Sequence, residues 1–319
     1  MKVVVASVSP EGARSRRYVL QGDGGRRLAG FSAGAHIAVH VDIPGAGRQT
    51  RCYSLINPRD SETVDTYEIV VQHEARGRGG SEWLASELRP GSVLEIDAPR
   101  QAFSLAEGPE PVLLIGGGIG VTPILAMART CEQTGRAYRL HYFARSSDDA
   151  PLAQAVRALR HGGVHLHLGT PVPEVRCRLR AIIGDSAPST SLHVCGPKGL
   201  IEEAFLCARQ AGWAERQLRC ESFTAASGSG DRSFSVRLAS SGRLITVPAD
   251  RTMLHALAEN GVQLPTSCGA GICGSCLVTV LSGRVDHRDS FLSDEEKNLD
   301  DMMCACVSRA AGDEIEIDL

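Results

Sequence analysis

Four cysteines near the carboxyl end restrict the possible folds of this 319-residue chain more than any other feature. Cys268, Cys273 and Cys276 fall in one glycine-rich loop, spaced Cys-x4-Cys-x2-Cys, and Cys306 follows after a long gap. Three thiolates from one tight loop and a fourth from elsewhere suit two irons bridged by sulfide, a [2Fe–2S] cluster. Gly269, Gly271 and Gly274 let the backbone close around such a group, and their amides can point at its sulfurs and help set its potential. Zinc is the competing reading. Its ligands usually come as short-spaced pairs, and the second pair here would be Cys304-x-Cys306, a poor spacing. Spacing alone leaves open whether Cys304 or Cys306 is the fourth ligand.

The remaining cysteines bear on compartment. The chain has 11, of which 52, 131, 177, 195, 207 and 220 are scattered and read mostly as buried packing residues. With no secretory leader visible, this usage points to a reducing compartment, the cytoplasm. Hydrophobic residues at 43% and charged residues at 22% are ordinary for a globular protein. A net charge of -3 argues against nucleic acid as the main partner, because phosphate binding needs a basic footprint. Pro111 to Ala128 is uncharged, but its clustered glycines and prolines fit a strand, a turn and a helix start better than a membrane span, and no membrane partner is expected.

Periodicity divides the chain into three. Residues 1–104 carry short alternating or β-branched runs at Val3–Val8, Ala35–Val41, Tyr67–Gln72 and Ser92–Ile96, which predict an antiparallel β-barrel. Residues 105–224 alternate strand and helix. Strands are expected at Val112–Ile115, Tyr138–Phe143, Val164–Leu168 and His193–Cys195, with helices over Pro123 to Glu132, 150–160 and 198–211. That alternation predicts an α/β domain built on a parallel sheet. Residues 225–231 read as a flexible linker. Residues 232–319 follow the order β-β-α-loop-β-α-β, an α+β (β-grasp) domain around the thiol loop.

Gly116 to Pro123, GGGIGVTP, follows a strand and opens a helix, so amides at a helix N-terminus are offered to a pyrophosphate. Pro123 supplies the usual start signal of that helix. Cys195-Gly196-Pro197 ends a second strand at what should be the same carboxyl edge, where ligands of such sheets bind. Read singly, Arg51 is a strand arginine, Tyr53 a packing residue and Ser54 an ordinary strand serine.

Together these residues resemble a known family. Arg51-Cys52-Tyr53-Ser54, then Gly79-Gly80-Ser81, then GGIGVTP, then Cys-Gly-Pro, then the cysteine loop, occur in the order seen in the phthalate dioxygenase reductase family, a branch of the ferredoxin–NADP+ reductase superfamily. The likeness covers essentially the whole chain. It implies an FMN barrel, a nicotinamide domain and a plant-type ferredoxin domain. It implies that Arg51 and the amides around Gly79, Gly80 and Ser81 hold the FMN phosphate, that Tyr53 lies against the flavin ring, and that Ser54 and Thr122 lie near the flavin N5. Gly117, Gly118 and Cys195 would approach the nicotinamide nucleotide. Cys306-Val307-Ser308 resembles the run around the fourth ligand of plant-type ferredoxins, which favours Cys306. Glu221-Ser222-Phe223 resembles the Glu-x-Phe run closing the nicotinamide domain. Phe223 is then either near the flavin or in the core. Pro99 to Phe103 departs from the family's Pro-x-Asn-x-Phe stretch, leaving residues 100–102 without an assigned role.

NADH is expected as donor over NADPH by the resemblance, although Arg145 suits a 2′-phosphate and Asp148 and Asp149 a ribose hydroxyl. A hydride brings two electrons and the cluster takes one, so a flavin must divide the pair. The resemblance implies a terminal Rieske-type oxygenase as partner, in the catabolism of aromatic or other small compounds, and a monomer is expected. Asp286, Asp289, Asp294, Glu295, Glu296, Asp300 and Asp301 read either as a docking face or as a solvated helix face. His73, His141 and His255 read as surface or satisfied core. Two rivals stand beside this reading: a flavin/iron–sulfur redox sensor without turnover, and a flavohaemoglobin-like reductase, which the cluster loop disfavours.

Overall fold

Alternation builds the first sheet. The structure, a computed structural model, describes the chain apart from residues 44–46, 74–79, 102, 224–230, 267–268, 270, 272–273 and 290 and the side chains of Gln49, Asp60 and Asp294. It forms two compact bodies, Met1–Arg219 and Cys220–Leu319. β1 (Lys2–Pro10) buries Val3 and Val5, and β2 (Ser15–Gly22) buries Tyr18 and Leu20. Then come β3 (Leu28–Phe31), β4 (Ala35–Ile43), β5 (Gly47–Ser54), β6 (Arg59–Val64), β7 (Thr66–Gln72), α1 (Gly80–Glu87), β8 (Val93–Ile96) and β9 (Arg100–Gln101). The barrel-like sheet runs β5-β4-β8-β1-β2-β7, with β9 on β4 and a separate β3–β6 pair. Its pairings are antiparallel. β2, β3, β6 and β9 lie outside the expected runs, and β5 is longer than the strand positions read at Arg51 and Ser54. In β2 and β5, arginines occupy outward positions, and a half-buried strand needs an apolar residue only at every second place.

The second half of this body is the expected α/β layer. β10 (Val112–Gly117) is buried at all six positions, as a central parallel strand covered on both faces should be. α2 (Val121–Thr134) ends at Gly135, whose φ of 69° forms the left-handed cap. β11 (Tyr138–Ala144), α3 (Ala153–Arg157), β12 (Gly163–Leu168), α4 (Val172–Gly184), β13 (Ser191–Cys195), α5 (Lys198–Gln210) and β14 (Leu218–Glu221) follow. The sheet order is β12-β11-β10-β13-β14, so the winding direction reverses at β10. The uncharged run at 111–128 is therefore strand, turn and helix. No helix among the described residues is long and apolar enough to cross a membrane. α4 was not anticipated, and α3 is shorter than the expected 150–160 helix.

Barrel and sheet share a core in this body. Ala33, Ile56, Val70 and Phe103 pack with Val121, Leu125 and Met127. Arg129 Nη1 donates to the Ile56 carbonyl at 2.6 Å, and Arg14 pairs with Asp149 at 2.7 Å. A fully buried side chain such as Leu125 contributes about 1.5–3 kcal/mol.

The second body has β15 (Phe234–Leu238), β16 (Leu244–Val247), α6 (Met253–Glu259), β17 (Leu277–Ser282), β18 (Val285–Asp286), α7 (Asp294–Lys297), β19 (Met302–Cys304), β20 (Arg309–Ala310) and β21 (Glu314–Ile317). Its sheet runs β16-β15-β21-β17-β19, with β15 and β21 parallel. Thr252 caps α6 by accepting from the His255 amide at 3.1 Å. The expected linker at 225–231 falls outside the described residues except for Asp231, whose carboxylate receives Arg288 at 2.7 Å.

Three imidazoles of the first body are held neutral. His141 and His193 are pushed down to about 3, and His167 to about 4, in each case mainly by burial. Cationic guanidinium groups add to this: Arg139 beside His141, Arg219 beside His193, and Arg178 beside His167. His193 Nε2 accepts from the Ala106 amide at 3.0 Å, and His141 Nδ1 is hydrogen-bonded to His167 Nε2 at 3.0 Å. In the unfolded chain each protonates near pH 6.5. Their contribution is therefore fully present above about pH 6.5 and is lost as pH falls toward 3–4, by at most about 1.4 kcal/mol per pH unit for the buried His193 and less for the half-buried His167, which water screens. Thermal unfolding measured from pH 7 to 4.5 is expected to show that slope, and His193→Gln to flatten it by one histidine's share. A parallel slope in the variant would remove His193 from the account.

Candidate functional site

The end of β5 carries three of the expected site residues. Arg51, Tyr53 and Ser54 lie opposite Val39, Ile37 and His36 of β4. Arg51 Nη1 donates to the Thr50 carbonyl at 2.9 Å. Its guanidinium packs on the first residue of α1: a Cβ added at Gly80 would come within 2.6 Å of Arg51 Nε. Strand and helix thus bring Arg51 together with Gly80, and Ser81 follows in the first turn, while Gly79 lies outside the described residues. A planar cation seated on a glycine at a helix N-terminus, where a side chain would displace it, fits a phosphate. Tyr53 packs half-buried against the barrel core. Ser54 is 5% exposed, and its Oγ has no hydrogen-bond partner among the described residues. A buried hydroxyl left unpaired is costly, which fits a polar ligand atom at this position.

The glycine turns meet at the carboxyl edge of the parallel sheet. Gly116 of β10 pairs with Cys195 of β13. A Cβ at Gly117 would lie 2.9 Å from Pro197 Cδ, and one at Gly120 would lie 2.4 Å from the Cys195 carbonyl oxygen. Gly118 takes φ 53° and faces open space. Ligands bind at this edge where the strand order reverses. Cys195 is fully buried. Thr122 is 2% exposed, and its hydroxyl donates to the Ile119 carbonyl at 3.0 Å, so its orientation is fixed. Arg145 and Asp148 are exposed just beyond β11, whereas Asp149 is taken up by Arg14.

Several expectations need correction. Phe223 is 47% exposed, which rules out the core alternative for it. The scattered cysteines are mostly buried, as expected: Cys131, Cys195, Cys207 and Cys220 are, while Cys52 and Cys177 are exposed. Glu221 opens the Glu-x-Phe run and carries no expected role of its own. Burial pushes its carboxyl up to about 8, and Oε2 has no partner among the described residues. Its burial has no signal in the sequence, since β14 alternates buried Leu218 and Cys220 with partly buried Arg219 and Glu221. Asp289, expected on an acidic surface, is buried, while Glu295, Glu296 and Asp301 are exposed. His255 is exposed and pairs with Glu259, whereas His141 is core.

In the second body, Cys276 and Cys306 are buried, at 3% and 1% exposure, and the Gly271 amide donates to Cys306 Sγ at 3.2 Å. Gly269, Gly271 and Gly274 have φ of 61°, 69° and 73°, the left-handed region that glycine adopts without strain. An amide aimed at a buried cysteine sulfur fits an anionic iron–sulfur group. Cys304 is also buried but lies in β19, opposite Leu277 of β17. Cys268 and Cys273 lie outside the described residues.

Comparison with known proteins agrees with this division of labour. Residues 3–105 match the oxidoreductase FAD-binding domain model, and residues 236–311 match the 2Fe-2S iron-sulfur cluster binding domain model. The chain is 35% identical to a vanillate O-demethylase oxidoreductase of Acinetobacter baylyi, over 100% of this chain and 99% of the relative. It is 32% identical to the carnitine monooxygenase reductase subunit of Escherichia coli, over 100% and 98%. The solved structure of phthalate dioxygenase reductase, described as a modular structure for electron transfer from pyridine nucleotides to [2Fe–2S], superimposes with a TM-score of 0.68 at 31% identity, covering 100% of this chain and 98% of that one. The chain belongs to the phthalate dioxygenase reductase family and is a flavin- and [2Fe–2S]-dependent oxidoreductase.

Proposed function

We propose that the chain is the reductase component of a Rieske-type oxygenase system, taking electrons from NADH through FMN to its [2Fe–2S] cluster and on to a terminal oxygenase. The observation that carries this reading is one chain combining the Arg51–Gly80 cradle with the buried Cys306 sulfur, an entry for electron pairs and an exit for single electrons. Bound flavin supplies the chemistry that accepts a hydride and releases electrons singly. The protein's own residues do the positioning. Arg51, Gly80 and Ser81, with Gly79, bind the FMN phosphate, and Tyr53 covers the ring. Ser54 would offer its unpaired hydroxyl to a polar atom of the ring, and Thr122, whose hydroxyl is held by the Ile119 carbonyl, would lie near it. Gly117, Gly118 and Cys195 would stand at the sheet edge that takes the nicotinamide, where Gly118 faces open space, and Phe223 would serve the flavin. Cys268, Cys273, Cys276 and Cys306 hold the cluster.

On this reading residues 1–104, 105–224 and 232–319 are the three functional domains, and the protein works as a cytoplasmic monomer. NADPH is the second reading for the donor, favoured by the exposed Arg145 beside an Asp149 already engaged by Arg14. An anaerobic titration with each nucleotide, followed by absorbance and low-temperature EPR, tests the path. Flavin bleaching together with a reduced [2Fe–2S] signal is expected, with NADH the faster donor. Bleaching without a cluster signal in iron-loaded protein would end the one-electron exit, and a faster NADPH would reverse the donor. Adding a purified Rieske-type oxygenase component should then give NADH-dependent turnover of that oxygenase's substrate, and failure across such components would reject the proposed partner.

A further inference from the structure

Asp289 stands where a carboxylate is costly. Its side chain has 0% exposure. Oδ1 accepts from Ser308 Oγ at 3.1 Å, and Oδ2 accepts from the Leu292 amide at 2.9 Å. The residue lies against the thiol loop: a Cβ at Gly271 would come within 2.9 Å of Asp289 Cα, and the same Gly271 amide donates to Cys306 Sγ. Ser308, in turn, lies two residues beyond Cys306. Asp289 is therefore joined to the surroundings of that sulfur twice, across the loop and along the chain.

A turn of this kind needs an acceptor, and an asparagine would supply one without the cost of burying a charge. Burial pushes the Asp289 carboxyl up, but the Leu292 amide, the Ser308 hydroxyl and Lys297 outweigh it and hold it below the usual carboxylate range. It is thus ionised at neutral pH. Two basic groups face it among the described residues. Lys297 Nζ donates to the Asp289 backbone carbonyl at 2.8 Å, and His287 Nδ1 lies 3.5 Å from Oδ1.

We propose that Asp289 is a potential-setting residue: a fixed negative charge beside the thiol loop that opposes the extra negative charge the cluster gains on reduction, with Lys297 as its counterweight. This rests on the reading of Cys306 and the loop cysteines as cluster ligands. The carboxylate lowers the cluster's potential relative to an uncharged side chain of the same shape, and so tunes how readily the electron leaves toward a partner.

The test is a spectroelectrochemical titration of the full chain at one fixed pH for all variants, reading flavin and cluster midpoints separately. Asp289→Asn is expected to raise the cluster midpoint by a roughly tenfold change in its one-electron equilibrium constant, about 59 mV. Lys297→Met is expected to move it the opposite way, and Lys297→Arg to restore it. The flavin midpoint should stay put in all three. A cluster midpoint unmoved or lowered in Asp289→Asn would overturn the proposal. If that variant fails to assemble, Lys297→Met decides alone, since an unmoved or raised midpoint contradicts a counterweight. Absence of any reduced-cluster EPR signal in the unaltered chain would instead overturn the ligand reading, and this inference with it.

Discussion

Cys306→Ala is expected to purify yellow, without iron–sulfur absorbance, and to reduce cytochrome c with NADH roughly 100-fold or more slowly. Loss of a partner outside the ligand shell typically costs about 10–100-fold, and a ligand should cost at least the upper end of that. Ferricyanide reduction, which the flavin can feed directly, should change little, because nothing in the Arg51–Gly80 corner or the glycine edge depends on this sulfur. The neighbouring thiol is the control. Cys304 is as buried as Cys306, yet it sits in β19 opposite Leu277, while the Gly271 amide reaches the Cys306 sulfur. Cys304→Ala should therefore keep its cluster and lose only packing, about 1 kcal/mol of stability. Iron content and EPR of the two variants settle the matter. A cluster retained by Cys306→Ala and lost by Cys304→Ala would exchange their roles.

What could be read from sequence was mostly local chemistry. The thiol loop was legible because a cluster needs a particular spacing, and β10 with its turn and α2 because a buried run, clustered glycines and Pro123 are each strong signals. α4 was hidden because Pro171-Val172-Pro173 reads as loop. In the structure Pro171 is the N-terminal cap, and proline is tolerated in the first turn. Asp289 was grouped with its acidic neighbours, since its burial comes from Gly271 and Ser308, which lie 18 and 19 residues away in the chain and touch it only through the fold. The empty hydroxyl of Ser54 is likewise a property of the packed barrel, invisible in a run that reads Arg-Cys-Tyr-Ser.

Arg51→Ala is expected to weaken flavin binding by roughly 10–100-fold, the equivalent of about 1.5–3 kcal/mol for a hydrogen bond to a charged group. The reason lies in the corner it occupies. Its guanidinium packs on Gly80 at the start of α1, so a phosphate held there would meet a planar cation and helix N-terminal amides together. Arg51→Lys should recover only part of the loss, because an ammonium keeps the charge but not the fork. Gly80→Val should be as harmful as Arg51→Ala while leaving the arginine in place, since its Cβ would come within 2.6 Å of Arg51 Nε and push the guanidinium away. Quenching of flavin fluorescence in the deflavinated protein measures all three, first with FMN and then with FAD. FMN binding tighter than FAD, with the loss in Arg51→Ala confined to the phosphate-bearing forms and absent for riboflavin, would tie the residue to the phosphate. Equal affinity in Arg51→Ala and the parent would mean that the phosphate is held elsewhere, and that the Arg51–Gly80 contact serves only to pin α1 to the barrel.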